Sequence, residues 1–322
     1  MKSKIKPLTS DASTRVFFRV SHNQKSKILV SAKSKKYSNL IAYTAINKFL
    51  RNKNFLAPKL FSHNYKKGTI LIEDFGDLTF HKILIKKKNK FGVYKKLVNL
   101  LLYIQKIKAE KKIKNIINNF HFVENYSLKY LVRESNIFFE WYLPLIVKEK
   151  KAFDIEKKIK KILFKIYKKL YFKNSYFVHR DYHSQNLMKV GNRIGILDSQ
   201  DALIGNPAYD LVSLIDDVRI KTSTKLKNNI YNYYINNTII DHKKNKNFFL
   251  NDFNILSVQR SLKIIGIFAR LYKRDKKGRY LKLIPYVWKL LELRMQSKTF
   301  SELKNILDSN ISKKNRKKIS YK

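Results

Sequence analysis

Residues 178–210 read VHRDYHSQNLMKVGNRIGILDSQDALIGNPAYD, and no other stretch restricts the fold so tightly. Leu187–Val190 and Arg193–Leu197 are short, largely apolar runs on either side of Gly191-Asn192, the pattern of a small β-hairpin. A hairpin brings its two ends together. Asn186 enters it and Asp198 leaves it, so both can face one ion. Asp181, in His179-Arg180-Asp181, stands one loop earlier. Phosphoryl transfer to a hydroxyl needs one carboxylate near the acceptor oxygen and oxygen ligands that hold magnesium beside a triphosphate. Asp181 suits the first task, Asn186 and Asp198 the second. A lone His-x-Asp commonly marks a turn. The ordered set His179, Asp181, Asn186, Asp198 and Asp210, with a hairpin inside it, points instead to a kinase-type phosphotransferase site.

The rest of the chain reads as an α+β arrangement of two lobes. Thr14–Val20 and Lys27–Ala32 have strand character, Asn39–Leu50 reads as a helix, and Lys59–Ser62 and Thr69–Glu73 flank a Lys-Lys-Gly turn. Beyond Gly76 the patterning is helical apart from the hairpin. Ile155, Ile159, Ile162, Ile166 and Leu170 recur at helical spacing ahead of the His-Arg-Asp loop. The expected division is a strand-rich, nucleotide-covering lobe at 1–73, a hinge at 74–77 and a helical lobe at 78–322 that carries the catalytic loop and the acceptor site.

Charge is the most conspicuous property of the composition, at a formal +47. It invites a nucleic-acid reading. Only thirteen of the 70 basic residues are Arg, however, and the lysines are spread over nearly every segment, with one modest cluster at Lys313–Lys318. Heavy use of Lys, Asn, Ile, Tyr and Phe beside scarce Gly and Pro is what AT-rich codons produce. Solvated Lys faces are therefore the expectation, and a nucleic-acid partner is not. There is no cysteine, which excludes disulfides and thiolate metal sites. The stretch MKSKIKPLTSDAS is not apolar enough for a signal peptide, and no run reaches the ~20 apolar residues of a membrane span. The expectation is a cytoplasmic monomer with a small-molecule substrate.

Three segments carry a family resemblance: LTSDASTRVFFRV, VHRDYHSQNLM with GILDSQDALIGNPAYDLVSLIDD, and VQRSLKIIGIFARLYKRDKKGRYLKLIPYV. They resemble the aminoglycoside phosphotransferase and choline kinase-like superfamily, a branch of the protein-kinase fold. Within it they look most like the amino-sugar kinases of cell-wall metabolism, which phosphorylate N-acetylmuramate and N-acetylglucosamine at the anomeric position in peptidoglycan sugar recycling. The resemblance implies ATP and Mg2+ as cofactors. It implies catalytic roles for Asp181, Arg180, Asn186 and Asp198, with Asn186 and Asp198 on the metal. It places Ser10, Ser13 and Thr14 in a loop over the phosphates, although that loop has no glycine and by itself reads as an ordinary turn. Glu73 and Asp74 fall at the nucleotide edge. Asp74-Phe75-Gly76 spells the metal motif of protein kinases, but it precedes the His-Arg-Asp loop by about a hundred residues and belongs to the hinge.

The protein-kinase pattern pairs a strand lysine with a glutamate on the next helix. Residues 21–72 contain no Asp or Glu, so that pair cannot form here. Lys33 is then either an unassisted phosphate ligand or one more surface lysine. His179 reads as a buried residue that shapes the loop, Arg180 as a tie to a carboxylate or to backbone carbonyls, and Asp210 as a hydrogen-bond acceptor for the loop or a helix cap. Acceptor candidates are His183 and Gln200 beside the catalytic positions, and Glu134, Trp141, Arg260 and Arg270 in the segments that look like the amino-sugar kinases. Two alternatives stay open: a kinase for another small alcohol, of aminoglycoside or choline type, and an inactive kinase fold that binds nucleic acid.

Overall fold

Five strands form one antiparallel sheet in the order β1-β2-β3-β5-β4: β1 (Lys4–Leu8), β2 (Arg15–His22), β3 (Lys25–Ala32), β4 (Leu60–Asn64) and β5 (Thr69–Glu73). Side chains alternate across a strand. Ile28, Val30 and Ala32 of β3 and Ile70 and Ile72 of β5 therefore bury one face, and Leu40 and Tyr43 of helix α1 (Ser38–Asn52) pack against it. The Lys-Lys-Gly turn closes the β4–β5 hairpin. Gly68 has φ +66°, and a Cβ there would lie 2.4 Å from the Ala32 carbonyl oxygen, so the turn requires glycine. The Ala32 N–H in turn donates to the Gly68 carbonyl at 2.8 Å.

The computed structural model describes residues 4–8, 15–23, 25–32 and 38–317. The chain divides into two units. The first comprises Met1–Val93, Tyr103–Glu124 and Phe177–Ile204; the second comprises Tyr94–Leu102, Asn125–Tyr176 and Gly205–Lys322. Residues 74–77 lie inside the first unit, and so does the hairpin, which the sequence suggested would belong with the helices. Backbone hydrogen bonds are the reason. Strand Arg193–Ile196 takes Leu56 on its outer edge, where Ile196 N–H donates to Leu56 O at 2.8 Å. Strand Leu187–Val190 takes Leu78-Thr79 on its own, where Lys189 N–H donates to Leu78 O at 2.8 Å. Thr79 then caps helix α2 (Phe80–Lys86) by accepting from Lys82 N–H. A further short hairpin, Lys112–Lys114 with Phe120–Phe122, has no counterpart in the sequence reading.

The second unit is helical. Its longest helix, Lys246–Lys273, is buried along most of its length, as a central element must be. The helix expected from the Ile155 pattern runs over Glu149–Tyr167, with Ile155, Ile159, Ile162 and Ile166 buried; Leu170 lies beyond its end. Among the described residues no helix is long and apolar enough to cross a membrane.

One charged cluster anchors this unit. Asp216 is 4% exposed and accepts from Arg294 Nε at 2.9 Å, Arg294 Nη2 at 3.0 Å, Lys227 Nζ at 3.1 Å and Ser257 Oγ at 2.8 Å. Burial pushes its pKa up, but Lys227, Arg294 and the hydroxyl of Ser257 together outweigh burial and hold it well below the usual carboxylate range. Removing the carboxylate strands buried Lys227 and half-buried Arg294. Asp216→Asn is expected to cost about 3–5 kcal/mol in chemical denaturation at neutral pH. Because the folded-state pKa is depressed, this contribution is complete above the unfolded value of about 3.9 and disappears as pH falls toward the folded value. The gap between wild type and variant should therefore narrow below about pH 4.

Candidate active site

The hairpin end is closed by Leu197 N–H donating to Asn186 O at 2.9 Å. Asn186 and Asp198 thereby flank the closed end of the hairpin, and both line one cavity. The loop before them is stitched internally. His183 N–H donates to Asp181 O at 2.9 Å, Asn186 N–H to His183 O at 2.9 Å, and Asn186 Nδ2 to Asp181 O at 3.1 Å. An amide nitrogen committed to a carbonyl turns the amide oxygen, Oδ1, the other way. Asn186 thus offers an oxygen, the atom that magnesium prefers.

His179 is 1% exposed, and its Nε2 lies 2.9 Å from Leu197 O. The carbonyl can only accept, so Nε2 carries the proton. The imidazole thereby ties the His-Arg-Asp loop to the residue before Asp198. Arg180 Nη1 donates to Asp201 O at 3.1 Å and lies 4.0 Å from Asp201 Oδ1. Arg180 and Asp198 both have left-handed backbone, φ +71° and +64°. Non-glycine residues adopt this region at a cost and concentrate in it at functional sites. Asp181 stands immediately after the first of them and is half-buried.

Two arginines of β2 carry the electrostatics. Arg15 Nη2 donates to Asp198 Oδ1 at 2.5 Å and Arg15 Nη1 to Gln200 Oε1 at 3.0 Å. Gln200 Nε2 donates to Asp201 Oδ2 at 3.1 Å, so both ends of this amide are engaged by protein. Arg19 Nε and Nη2 reach the two oxygens of Asp74 at 2.6 and 3.1 Å, and Arg19 Nη1 and Nη2 reach those of Asp77 at 2.9 and 3.0 Å. The paired carboxylates raise the Arg19 pKa, Asp77 most of all. Asp74 is lowered: burial opposes this, but hydrogen bonds from Arg19, Ser26 and the Gly76 amide outweigh it. The Gly76 N–H bond to Asp74 Oδ1, at 2.8 Å, makes a tight turn of residues 74–76. Helix α1 reaches the same region through neutral groups. Ser199 Oγ donates to Asn47 Oδ1 at 2.7 Å, and Asn47 also bonds Tyr43.

These elements surround a cavity of about 290 Å³. Leu8, Phe17, Ile28, Ile72, Met188 and Leu197 give it apolar walls; Asn186 and Asp198 share the lining with residues 73–77. Such a space suits a flat heteroaromatic group with an anionic extension toward Asn186 and Asp198. Two protein oxygens fit magnesium, which keeps waters and substrate phosphates in its shell. Among the described residues there is no group of three or more His, Cys, Asp or Glu that would cage a metal unaided.

Residues 4–241 match the model of the Phosphotransferase enzyme family. The chain belongs to this family. It is 27% identical, over 91% of its length and 86% of the relative's, to a protein of Neisseria meningitidis named N-acetylmuramate/N-acetylglucosamine kinase. A Pseudomonas aeruginosa protein of the same name is 27% identical over 89% of this chain and 82% of its own. Among solved structures, an ADP-bound aminoglycoside phosphotransferase superposes with a TM-score of 0.59 at 14% identity, covering 90% of this chain and 92% of its own. That similarity establishes the kinase-like fold.

The remaining expected site residues fall as follows. Ser10, Ser13, Thr14 and Lys33 lie outside the described residues. Glu73 and Asp74 line the cavity, with the Glu73 carboxylate bonded to Arg51 Nη1 at 3.2 Å and to the Lys59 N–H at 3.1 Å. His183 is buried within the loop. Asp210 does not open its helix. That helix starts two residues earlier, at Ala208, whose N–H is taken by Asn206 Oδ1 at 3.0 Å, which leaves Asp210 buried in the first turn.

In the second unit, Glu134 is engaged by Lys263 at 2.7 Å, by Gln259 at 3.1 Å and by the Tyr126 hydroxyl. Arg260 is buried over the Tyr209 ring. Trp141 is half-buried in the turn Phe138–Tyr142. Arg270 is half-buried; burial lowers its pKa, and its Nε has no hydrogen-bond partner among the described residues.

The sequence reading passed over Arg15, Arg19, Asp77, Tyr43, Asn47 and Ser199. One signal was available for the arginines. In a chain so rich in lysine, Arg15 and Arg19 are the only arginines among the first fifty residues, and a forked guanidinium is what lysine cannot replace.

Gly195 lets the hairpin close onto Phe75: a Cβ there would lie 2.7 Å from the Phe75 ring. Gly195→Ala is expected to displace Phe75 and to destabilise the protein by about 1–3 kcal/mol. Paired denaturation and nucleotide-binding measurements should show both stability and nucleotide affinity falling.

Proposed function

We propose that this protein transfers the γ-phosphoryl group of ATP to the anomeric hydroxyl of N-acetylmuramate, N-acetylglucosamine or both, yielding the sugar 1-phosphate. The observation that carries the phosphotransfer reading is the closed hairpin end, which sets Asn186 and Asp198 in one apolar-walled cavity and bonds Asn186 to the Asp181 backbone. The relatives' shared name supports the acceptor. In this reading the cavity walls hold adenine, and Asn186 and Asp198 hold magnesium. Bound there, the ion offsets the charge of the triphosphate.

Asp181 orients the acceptor hydroxyl. As the new bond from acceptor oxygen to phosphorus forms and the bond from phosphorus to the bridging oxygen breaks, the hydroxyl proton passes to the Asp181 carboxylate and ADP departs. Arg180 and His179 keep the loop in shape. An anomeric hydroxyl is more acidic than an ordinary alcohol, so a single carboxylate is equal to the task.

Charge supports a neutral or anionic acceptor over a polycation. The acids around the cavity have arginine partners: Asp198 with Arg15, Asp74 and Asp77 with Arg19, and Glu73 with Arg51. A formal charge of +47 also repels a polycationic aminoglycoside and tolerates the lactyl carboxylate of N-acetylmuramate. The proposed setting is peptidoglycan sugar recycling in the cytoplasm, with the protein acting as a monomer.

The test incubates the protein with Mg-ATP and each of the two sugars, an aminoglycoside and choline, and locates the phosphate by phosphorus NMR. Anomeric phosphate on at least one amino sugar is expected. Asp181→Asn should lower that turnover by roughly 10²-fold or more while nucleotide still binds. Phosphate on another hydroxyl, or turnover of choline or the aminoglycoside alone, would overturn the acceptor. DNA retention without any turnover would overturn the enzyme reading.

A further inference from the structure

The face of the sheet that meets the cavity has an unusual charge pattern for a site of this kind. Strand β3 turns Ile28, Val30 and Ala32 inward and leaves Lys25 and Lys27 exposed, so its described residues place no cation there. Directly opposite, in register, β2 presents Arg19, Phe17 and Arg15. Arg19 is committed to Asp74 and Asp77. Arg15, paired with Ala32 at the far end of the strands, is 8% exposed and meets Asp198 and Gln200. Its guanidinium lies 5.6 Å from the Phe17 ring centroid and 5.7 Å from that of Tyr43, so the side chain is walled on two sides.

A buried cation beside the carboxylate proposed to hold the metal stands where phosphate charge would accumulate. We propose that Arg15 is a catalytic residue that binds the non-bridging oxygens of the transferring phosphates. It would do the work that a strand lysine fixed by a helix glutamate does in protein kinases. The inference rests on the phosphotransfer reading above, though not on the identity of the acceptor.

Gln200 is the positioning residue. Its Oε1 accepts from one arm of the guanidinium, and its amide is fixed by Asp201. Asp198 is the counter-ion of Arg15 in this structure; with magnesium held by Asp198 and Asn186, the charge of Arg15 would be available to phosphate. A guanidinium has five donors in a rigid fork, so it can keep Gln200 and hold a phosphate oxygen at once. No acid on α1 is needed, which fits the absence of Asp and Glu from residues 21–72.

The test uses the full chain with Arg15→Gln and Arg15→Lys, and measures by calorimetry the affinity for a magnesium complex of a non-hydrolysable ATP analogue and for adenosine. Thermal unfolding checks the fold. Arg15→Gln should weaken the ATP analogue by about ten- to a hundredfold and leave adenosine unchanged. Arg15→Lys keeps the charge and the Asp198 pair but not the fork, so it should fall between wild type and Arg15→Gln, and it answers the question if the glutamine variant does not fold. Wild-type affinity for the analogue in the folded variants, or equal losses for analogue and adenosine, would overturn the role. A wild-type protein that binds the analogue yet phosphorylates neither sugar would refute the acceptor and leave the Arg15 comparison standing.

Discussion

One backbone hydrogen bond, from Leu197 N–H to Asn186 O, governs the candidate site. It closes the hairpin and sets the separation of the two side chains that face the cavity. Everything around it protects that closure. Leu56 and Leu78 supply backbone partners on the two outer edges, so the hairpin is the middle of a four-segment ladder and has no free edge to fray. His179 holds Leu197 O from the other side, so the residue before Asp198 is bonded through both its N–H and its C=O. The left-handed backbone at Asp198 is tolerable because its neighbours are over-determined in this way.

Side-chain charge then links strand β2 to this frame. Arg15 and Arg19 project from the same face of β2, one to Asp198 at the hairpin end and the other to the tight turn at Asp74. Both contacts use the fork of the guanidinium, and Arg19 grips two carboxylates at once. The large positive charge of the chain has little part in this. Most of its lysines are solvated, while arginines hold the ion pairs that position the site.

How much of this was legible in the sequence depends on the range of each contact. The hairpin, β5 and the Lys-Lys-Gly turn were readable because strand periodicity and turn chemistry are local. Helix α1 ran only a residue or two beyond its reading at either end. Contacts between distant segments were not readable. Arg15 and Asp198 are 183 residues apart, and nothing near either one announces the other. The membership of the hairpin in the strand-bearing unit rests on bonds to Leu56 and Leu78, which sequence patterning does not encode. The start of the helix at Ala208 was missed because Asn206, rather than Asp210, supplies the accepting oxygen. Lys112–Lys114 and Phe120–Phe122 are strands of only three residues, too short for a period to show.

The central claim is that Asn186 and Asp198 act on one shared ion. Two ligands of one ion must be coupled, whereas two residues that merely line a pocket lose their effects independently. A double-mutant cycle tests this directly, with Asn186→Ala, Asp198→Ala and the double variant titrated with an ATP analogue in the presence and absence of magnesium. The account predicts that magnesium strengthens wild-type binding, that Asp198→Ala abolishes this enhancement, and that adding Asn186→Ala to it costs little more. Additive losses, or magnesium enhancement that survives in the double variant, would contradict it.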